Sequence, residues 1–177
     1  MTGERKPKDI GALAAAWWRD LNPGDDKRRD RGALARLKRA GDLAELLQEP
    51  AFGALVRRVG PANPYELAQL GRVAMVLAHV RGNDPARSVA RALGPASEKD
   101  TPVMSPARFR RLLQSREPED VARRMIRAVR MLDNRANVAD LARSLWYWGS
   151  DNTRRNWAFH YLAAQPPGDA DAPEAAA

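Results

Sequence analysis

Hydrophobic residues recur every three or four positions along the chain, and no run alternates apolar and polar residues for long enough to predict a strand. Almost every segment therefore reads as an amphipathic helix. Pro, Asn, Asp, Ser and Gly mark where the helices start and stop. A first helix is predicted over Asp9–Leu21 and closes at Asn22-Pro23-Gly24. Asp25–Asp30 form a charged linker. A second helix covers Gly32–Ala40, with Leu34 and Leu37 on one face and Gly41 at its end. Shorter pieces cover Asp42–Leu47 and Phe52–Val59, the latter ended by Gly60-Pro61.

Asn63-Pro64-Tyr65-Glu66 is a strong start signal. Asn63 can cap, Pro64 suits the first helical position, and Glu66 completes a capping box. The helix it opens runs to about Val80, with Leu67, Leu70, Val73, Ala74 and Leu77 spaced as one buried stripe. Gly82-Asn83 ends it. Asp84-Pro85 opens the next helix, through Leu93, and Gly94-Pro95 stops that one. Ala96–Met104 is a polar loop and the expected boundary between two lobes. Ser105-Pro106 caps a helix bearing Phe109, Leu112 and Leu113, and Glu117-Pro118 begins another that lasts to about Leu132. Asn137, with Asp140 three residues on, starts a helix carrying Leu141, Leu145 and Trp148. Gly149-Ser150 breaks it, and a last helix covers Asp151–Ala163.

The expected fold is an all-α bundle of eight or nine helices in two packed lobes. The N-terminal lobe spans 9–95 and the C-terminal lobe 105–164, joined by the 96–104 loop. Residues 1–8 are expected to be loose. The Pro-, Gly-, Ala- and Asp-rich stretch 165–177 is expected to be a disordered tail. No repeat of fixed period is present.

Composition narrows the chemistry. A chain of 177 residues can bury ~70% of its unfolded surface, so it needs neither disulfide nor metal to fold. Cysteine is absent, which excludes disulfides, thiolate metal sites and cysteine nucleophiles. There is no Gly-rich phosphate loop, no Gly-x-Ser-x-Gly and no His-Glu-x-x-His. His79 lies in an apolar helix and His160 between Phe159 and Tyr161, and both read as packing residues. Asp25-Asp26 sit beside Lys27, Arg28 and Arg29, which neutralise them as a metal site. No catalytic residue, metal or cofactor is expected, and the protein is not expected to be an enzyme. The longest apolar stretches, Gly11–Trp18 and Val73–Ala78, are too short to span a bilayer. The N-terminus lacks the pattern of a secretory signal, so the expected location is the cytoplasm, with no membrane partner.

The net charge is +8, and its distribution matters more than its size. Residues 105–135 carry nine basic side chains, all Arg, against four acidic ones, so one short stretch holds more than half of the excess. On a helical wheel Val121, Met125, Ala128 and Leu132 fall within about 40° of one another, while Arg123, Arg127 and Arg130 lie on the opposite side. Arg108 and Arg111 lie three apart on the preceding helix, with Arg116 between the two. Rows spaced ~5–6 Å along a helix can follow phosphates without reading bases. A second basic stretch, Lys27-Arg28-Arg29-Asp30-Arg31, leads into Arg36, Lys38 and Arg39. The candidate nucleic-acid-binding residues are therefore Arg28, Arg29, Arg31, Lys38, Arg39, Arg108, Arg111, Arg116, Arg123, Arg127 and Arg130. All five tryptophans lie in Trp17-Trp18, Trp146-Tyr147-Trp148 and Trp157. They are expected to pack in the core or against protein rather than to stack on bases. Two other readings stay open: a helical adaptor that docks on an acidic protein surface, and, ranked lower, a helix-turn-helix regulator, for which the usual spacing is missing.

An ordered set of short motifs resembles a known family. These are Trp17-Trp18-Arg19-x-Leu21, Arg31-Gly32-x-Leu34-Ala35-x-Leu37-Lys38-Arg39-Ala40, the apolar helix Ala68 to Ala78, and Ser88-Val89-Ala90-x-Ala92-Leu93. They continue with Ser105-x-x-Arg108-Phe109-x-x-Leu112-Leu113 and with Leu141 to Trp148, Trp157 and Tyr161. Over roughly residues 10–163 the chain resembles the CasB family, the small subunit of the type I-E CRISPR Cascade complex. The tail after Gln165 has no counterpart there. The resemblance implies a non-enzymatic, all-helical protein with an N-terminal and a C-terminal lobe. It implies two copies stacked head to tail beside the large subunit and the backbone subunits that carry the guide RNA. It also implies binding of nucleic acid without sequence preference, in support of the displaced DNA strand of the R-loop. Arg31, Lys38, Arg39 and Arg108 lie within matched motifs, whereas the other candidate residues rest on helix geometry.

Overall fold

The computed structural model describes residues 8–24 and 27–163; Asp25, Asp26 and the stretch 165–177 lie outside the described residues, as does nearly all of 1–8. Eight helices have nine residues or more: α1 (Ile10–Leu21), α2 (Arg31–Arg39), α4 (Pro50–Val59), α5 (Pro64–Leu77), α7 (Pro106–Gln114), α8 (Pro118–Met131), α9 (Val138–Trp146) and α10 (Asp151–Tyr161). Two more, α3 (Leu43–Leu47) and α6 (Val89–Leu93), have five residues each. The only strands among the described residues are β1 (Gly82–Asn83) and β2 (Arg135–Ala136), a two-residue parallel pair.

Local chemistry starts most of these helices. Asp9, Asp30, Asp42, Asn63, Ser88 and Asn137 each accept a hydrogen bond from the backbone N–H three residues on, which satisfies one orphan donor of the first turn. Proline stands at the opening of α4, α5, α7 and α8. Three details differ from the sequence expectation. Glu66 reaches back to the N–H of Ala62 rather than to that of Asn63. Ser105 makes no capping hydrogen bond, so Pro106 alone marks the start of α7. Asp140 does not turn back on Asn137; its carboxylate accepts the N–H of Val89 at 2.8 Å and so caps α6 from a distant part of the chain.

Helix α5 also ends at Leu77, short of Val80, and Asp84-Pro85 opens no helix. Tertiary pairing is the reason. The N–H groups of Arg81 and Gly82 both donate to the carbonyl of Asn134, and that of Asp84 donates to the carbonyl of Ala136. Asp133 and Asn134 hold positive φ angles of 54° and 59°, a left-handed turn that these residue types tolerate and that swings the chain from α8 into β2.

Helices from the two ends of the chain pack face to face. Helix α1 lies along α9 so closely that a Cβ on Gly11 would stand 2.7 Å from the carbonyl oxygen of Ala139. Helix α5 is central, packing on α9, α4, α8 and α2. One hydrophobic cluster runs from Ile10 to Tyr161, and the segments expected to form separate lobes share it. Full burial of a side chain such as Leu37, Phe52, Leu70 or Leu141 contributes about 1.5–3 kcal/mol.

The tryptophans serve this core. Trp17, Trp18, Trp148 and Trp157 are buried, and each indole N–H finds an acceptor: Ala51 O, Val80 O, Ser115 O and Ser144 Oγ. Phe109 stacks on Tyr161 at 3.9 Å between centroids, and Trp148 meets Trp157 edge-on at 5.0 Å. Trp146 is half-buried and Tyr147 exposed, so only one indole of that trio enters the core fully.

Gly94 ends α6 directly against α10: an added Cβ would overlap the carbonyl oxygen of Tyr161 and stand 2.9 Å from its carbonyl carbon. Gly94→Ala is expected to lower the free energy of unfolding by about 2–3 kcal/mol in urea titrations. Gly53→Ala serves as the control. It sits inside α4, and its Cβ would meet nothing nearer than the Arg57 guanidinium at 3.4 Å. It is expected to leave stability unchanged or raise it by about 0.5–1 kcal/mol.

Candidate nucleic-acid interface

Helix α8 has the two-sided character that its sequence predicts. Val121, Met125 and Ala128 are buried, as are Ala122 and Val129 beside them, while Arg123, Arg127 and Arg130 are exposed. The three arginines do not act as one row. Arg127 turns toward α7, where Arg108, Arg111, Arg124 and Arg127 surround a groove of about 440 Å³ floored by Met104, Leu112 and Met131. Arg108, Arg111 and Arg127 form no ion pair among the described residues. Arg124 is held at 2.8 Å by Asp120, which also accepts from Ser115 and stands 3.8 Å from Arg123. Hydrogen bonds from Arg124 and then Ser115 hold the Asp120 carboxyl below its ordinary pKa, so it stays ionised and anchors Arg124.

A second groove, of about 430 Å³, opens between the end of α1, the exposed face of α2 and the segment that follows α5. Its walls are Leu34, Ala35, Ala78 and Val80, and its cations are Arg29, Arg31, Lys38 and Arg81. Arg29 donates to the carbonyl of Arg81 at 2.7 Å, which ties the α1–α2 loop to the exit of α5. Partial burial, and then the charges of Arg81, Arg29 and Arg130, hold the Lys38 amine below its ordinary pKa. Arg130, on α8, adds a like charge at Lys38 without lining this groove. The neighbouring His79 is pushed down to about 4 by burial, with Lys38 and Arg130 adding to the effect.

The remaining candidates lie elsewhere. Arg28 is exposed in the loop before α2 and lines neither groove. Arg39 donates to Ala35 O and borders a cleft of mixed charge with Arg36, Glu45 and Glu49. Arg116 folds onto the carbonyls of Leu113 and Ser115 at the end of α7. Arg123 points outward, 70% exposed. Sequence reasoning missed Arg81, Arg124 and Asn22. The spacing of Arg124 three residues before Arg127 could have revealed it, but nothing local marks Arg81 or Asn22. Among the described residues no group of three His, Asp or Glu is placed to hold a metal ion, and no helix is long and apolar enough to cross a membrane.

Fold and site together define an all-helical protein with two cation-lined grooves, one between α7 and α8 and one beside α2 and the exit of α5. The chain belongs to the family of the CRISPR-associated protein Cse2, whose family model matches residues 33–162; this is the CasB family that the motifs resemble. Among solved structures it is similar to a chain in the crystal structure of E. coli Cascade bound to a PAM-containing dsDNA target. That match has 22% identity and a TM-score of 0.61, and it covers 89% of this chain and 97% of the other. The likeness establishes a shared fold. No curated protein matches the chain in sequence.

The depressed pKa of His79 has a consequence for stability. In the unfolded chain the imidazole titrates near 6.5, in the folded protein at about 4. Above about pH 6.5 both states are neutral there, and the folded state is not penalised. As pH falls from about 6.5 toward 4, only the unfolded chain takes up the proton, so stability is lost across that window. Between about pH 7 and about pH 5 the wild type is expected to lose more unfolding free energy than His79→Gln. Solvent screening at this half-buried site keeps the difference on the order of 1 kcal/mol. Equal losses in urea titrations would show that the imidazole is not held neutral.

Proposed function

We propose that this chain is a non-catalytic small subunit of a type I-E CRISPR Cascade surveillance complex, working in the cytoplasm. It binds nucleic acid through phosphates, without sequence preference, and stabilises the displaced strand of the R-loop. Its partners are the large and backbone subunits, a second copy of itself placed head to tail, the guide RNA and the displaced target DNA strand. Family membership supports the assembly.

The observation that carries the binding is the crowding of Lys38. Among the described residues, every charge that shifts its amine is a cation: Arg81, Arg29 and Arg130, each from a different segment. Like charges gathered by separate elements oppose folding, and a polyanion relieves that repulsion. R-loop formation exchanges one duplex for another of similar stability, so a few phosphate contacts to the displaced strand can tip it. Contacts of this kind make affinity steeply salt-dependent and nearly blind to sequence.

The purified protein is expected to bind random single-stranded oligonucleotides with affinity that falls steeply across a salt series. Replacing Arg108, Arg111 and Arg127 together with Ala is expected to weaken binding by roughly tenfold or more. It should also flatten the log–log salt slope by about 2, at ~0.7 per lost contact, while the thermal melt stays in place. Absence of binding even at low salt would move both grooves to contacts with an acidic protein surface.

A further inference from the structure

The last stretch of the sequence and the α7–α8 groove carry opposite charge. Beyond Ala163 the chain continues through Asp169, Asp171 and Glu174, with no Lys or Arg. The groove exposes Arg108, Arg111 and Arg127 around Met104, Leu112 and Met131. Asp120 offsets Arg124 at its border and leaves the rest of the groove positive. The place where α10 ends brings the two together. Tyr161 donates from its phenol to the carbonyl of Met104 at 2.7 Å, and its ring stacks on Phe109 of α7. The acidic stretch therefore starts beside the opening of α7. From Ala163 to Asp169 an extended chain spans about 20 Å. Helix α7, with nine residues, rises only about 13 Å, so its whole length is within reach of the acids.

We infer that the acidic segment 169–174 docks in the α7–α8 groove of its own chain, its carboxylates on Arg108, Arg111 and Arg127. Exposed ion pairs of this kind are individually weak. The tether makes them count, because a segment joined by a few residues faces the groove at an effective concentration on the order of mM. The three arginines are also those that the proposed phosphate contacts use, so the tail and an incoming strand exclude one another. This competition rests on the nucleic-acid-binding reading, whereas the docking itself does not. A strand that engages several arginines at once displaces the tail, and an isolated anion does not. The segment thereby reserves the groove for a polyanion.

Two measurements on the full chain test this. The sequence has no cysteine, so Ala172→Cys carries a single nitroxide spin label in the tail. At low salt the label is expected to broaden the amide NMR signals of Arg108, Arg111 and Arg127. Neutralising the tail with Asp169→Asn, Asp171→Asn and Glu174→Gln together is expected to cut that broadening severalfold, as is high salt. Broadening that stays the same with the neutral tail would overturn the docking, because the tether alone then accounts for it. In binding to random single-stranded oligonucleotides at low salt, the neutral tail is expected to raise affinity roughly 3- to 10-fold. That is the gain from freeing a groove occupied for roughly 70–90% of the time. The gain is expected to vanish when Arg108, Arg111 and Arg127 are also replaced by Ala. An equal gain in both backgrounds would reduce the effect to net charge and overturn the competition. Acid-dependent broadening without any oligonucleotide binding would uphold the docking and overturn the nucleic-acid reading instead.

Discussion

The carbonyl oxygen of Asn134 accepts from the backbone N–H groups of both Arg81 and Gly82, at 2.7 and 3.2 Å, and the basic surface depends on this junction. It ends α5 at Leu77 and brings the exit of α5 beside the exit of α8. The Val80 carbonyl that this leaves outside the helix is taken by the indole of Trp18, which anchors α1 to the same corner. The carbonyl of Arg81 is taken by the Arg29 guanidinium, which brings in the loop before α2. Four stretches of chain, distant in sequence, meet where their backbones need hydrogen-bond partners. Their cations converge because their backbones do.

That convergence explains the electrostatics. Lys38 and His79 both sit below their ordinary pKa values, with burial the largest cause and neighbouring cations adding to it. A carboxylate would relieve such a cluster, as Asp120 does for Arg124 at the border of the other groove. The two grooves therefore differ in kind. The α7–α8 groove is a fixed frame in which one acid orients one arginine and leaves Arg108, Arg111 and Arg127 to face outward. The α2–α5 groove is a crowded one, in which an incoming anion relieves repulsion already present. Arg127, on α8, lines the α7–α8 groove, whereas Arg130, three residues on, adds its charge at Lys38 without lining the α2–α5 groove.

Much of this was legible in the sequence, and the reason is locality. The α8 stripe, the cap at Asn63, the helix start at Asn137 and the entry of Trp148 into the core follow from side chains interacting within a few residues. The pairing of Arg108 and Arg111 with Arg127 needed only the short connection between adjacent helices. What escaped was set by contacts far apart in sequence. Residues 84–88 are not helical because the pairing with Asn134–Ala136 claims the backbone before them. Asp140 caps a helix about fifty residues away instead of its own. Arg81 joins the site only through β1 and β2, and Arg116, which reads as part of a basic row, is drawn to the carbonyls that the end of α7 leaves unpaired.

Holding these cations together requires a frame that does not yield. The junction at Asn134 offers few hydrogen bonds, and two-residue strands carry little stability of their own. The resistance comes from the helices on either side. Helix α1 is pressed against α9 at the side-chain-free surface of Gly11, and α5 fills the space between α9, α4, α8 and α2. Cores packed to this density are stiff, so repulsion among Lys38, Arg81 and Arg130 cannot relax by spreading the helices apart. The like charges stay close together at the surface, where the proposed phosphate contacts would offset them. The close-packed helix crossings and the cations at the helix exits are thus two parts of one arrangement: the first holds the shape, and the second supplies the charge on which the proposed binding of a polyanion rests.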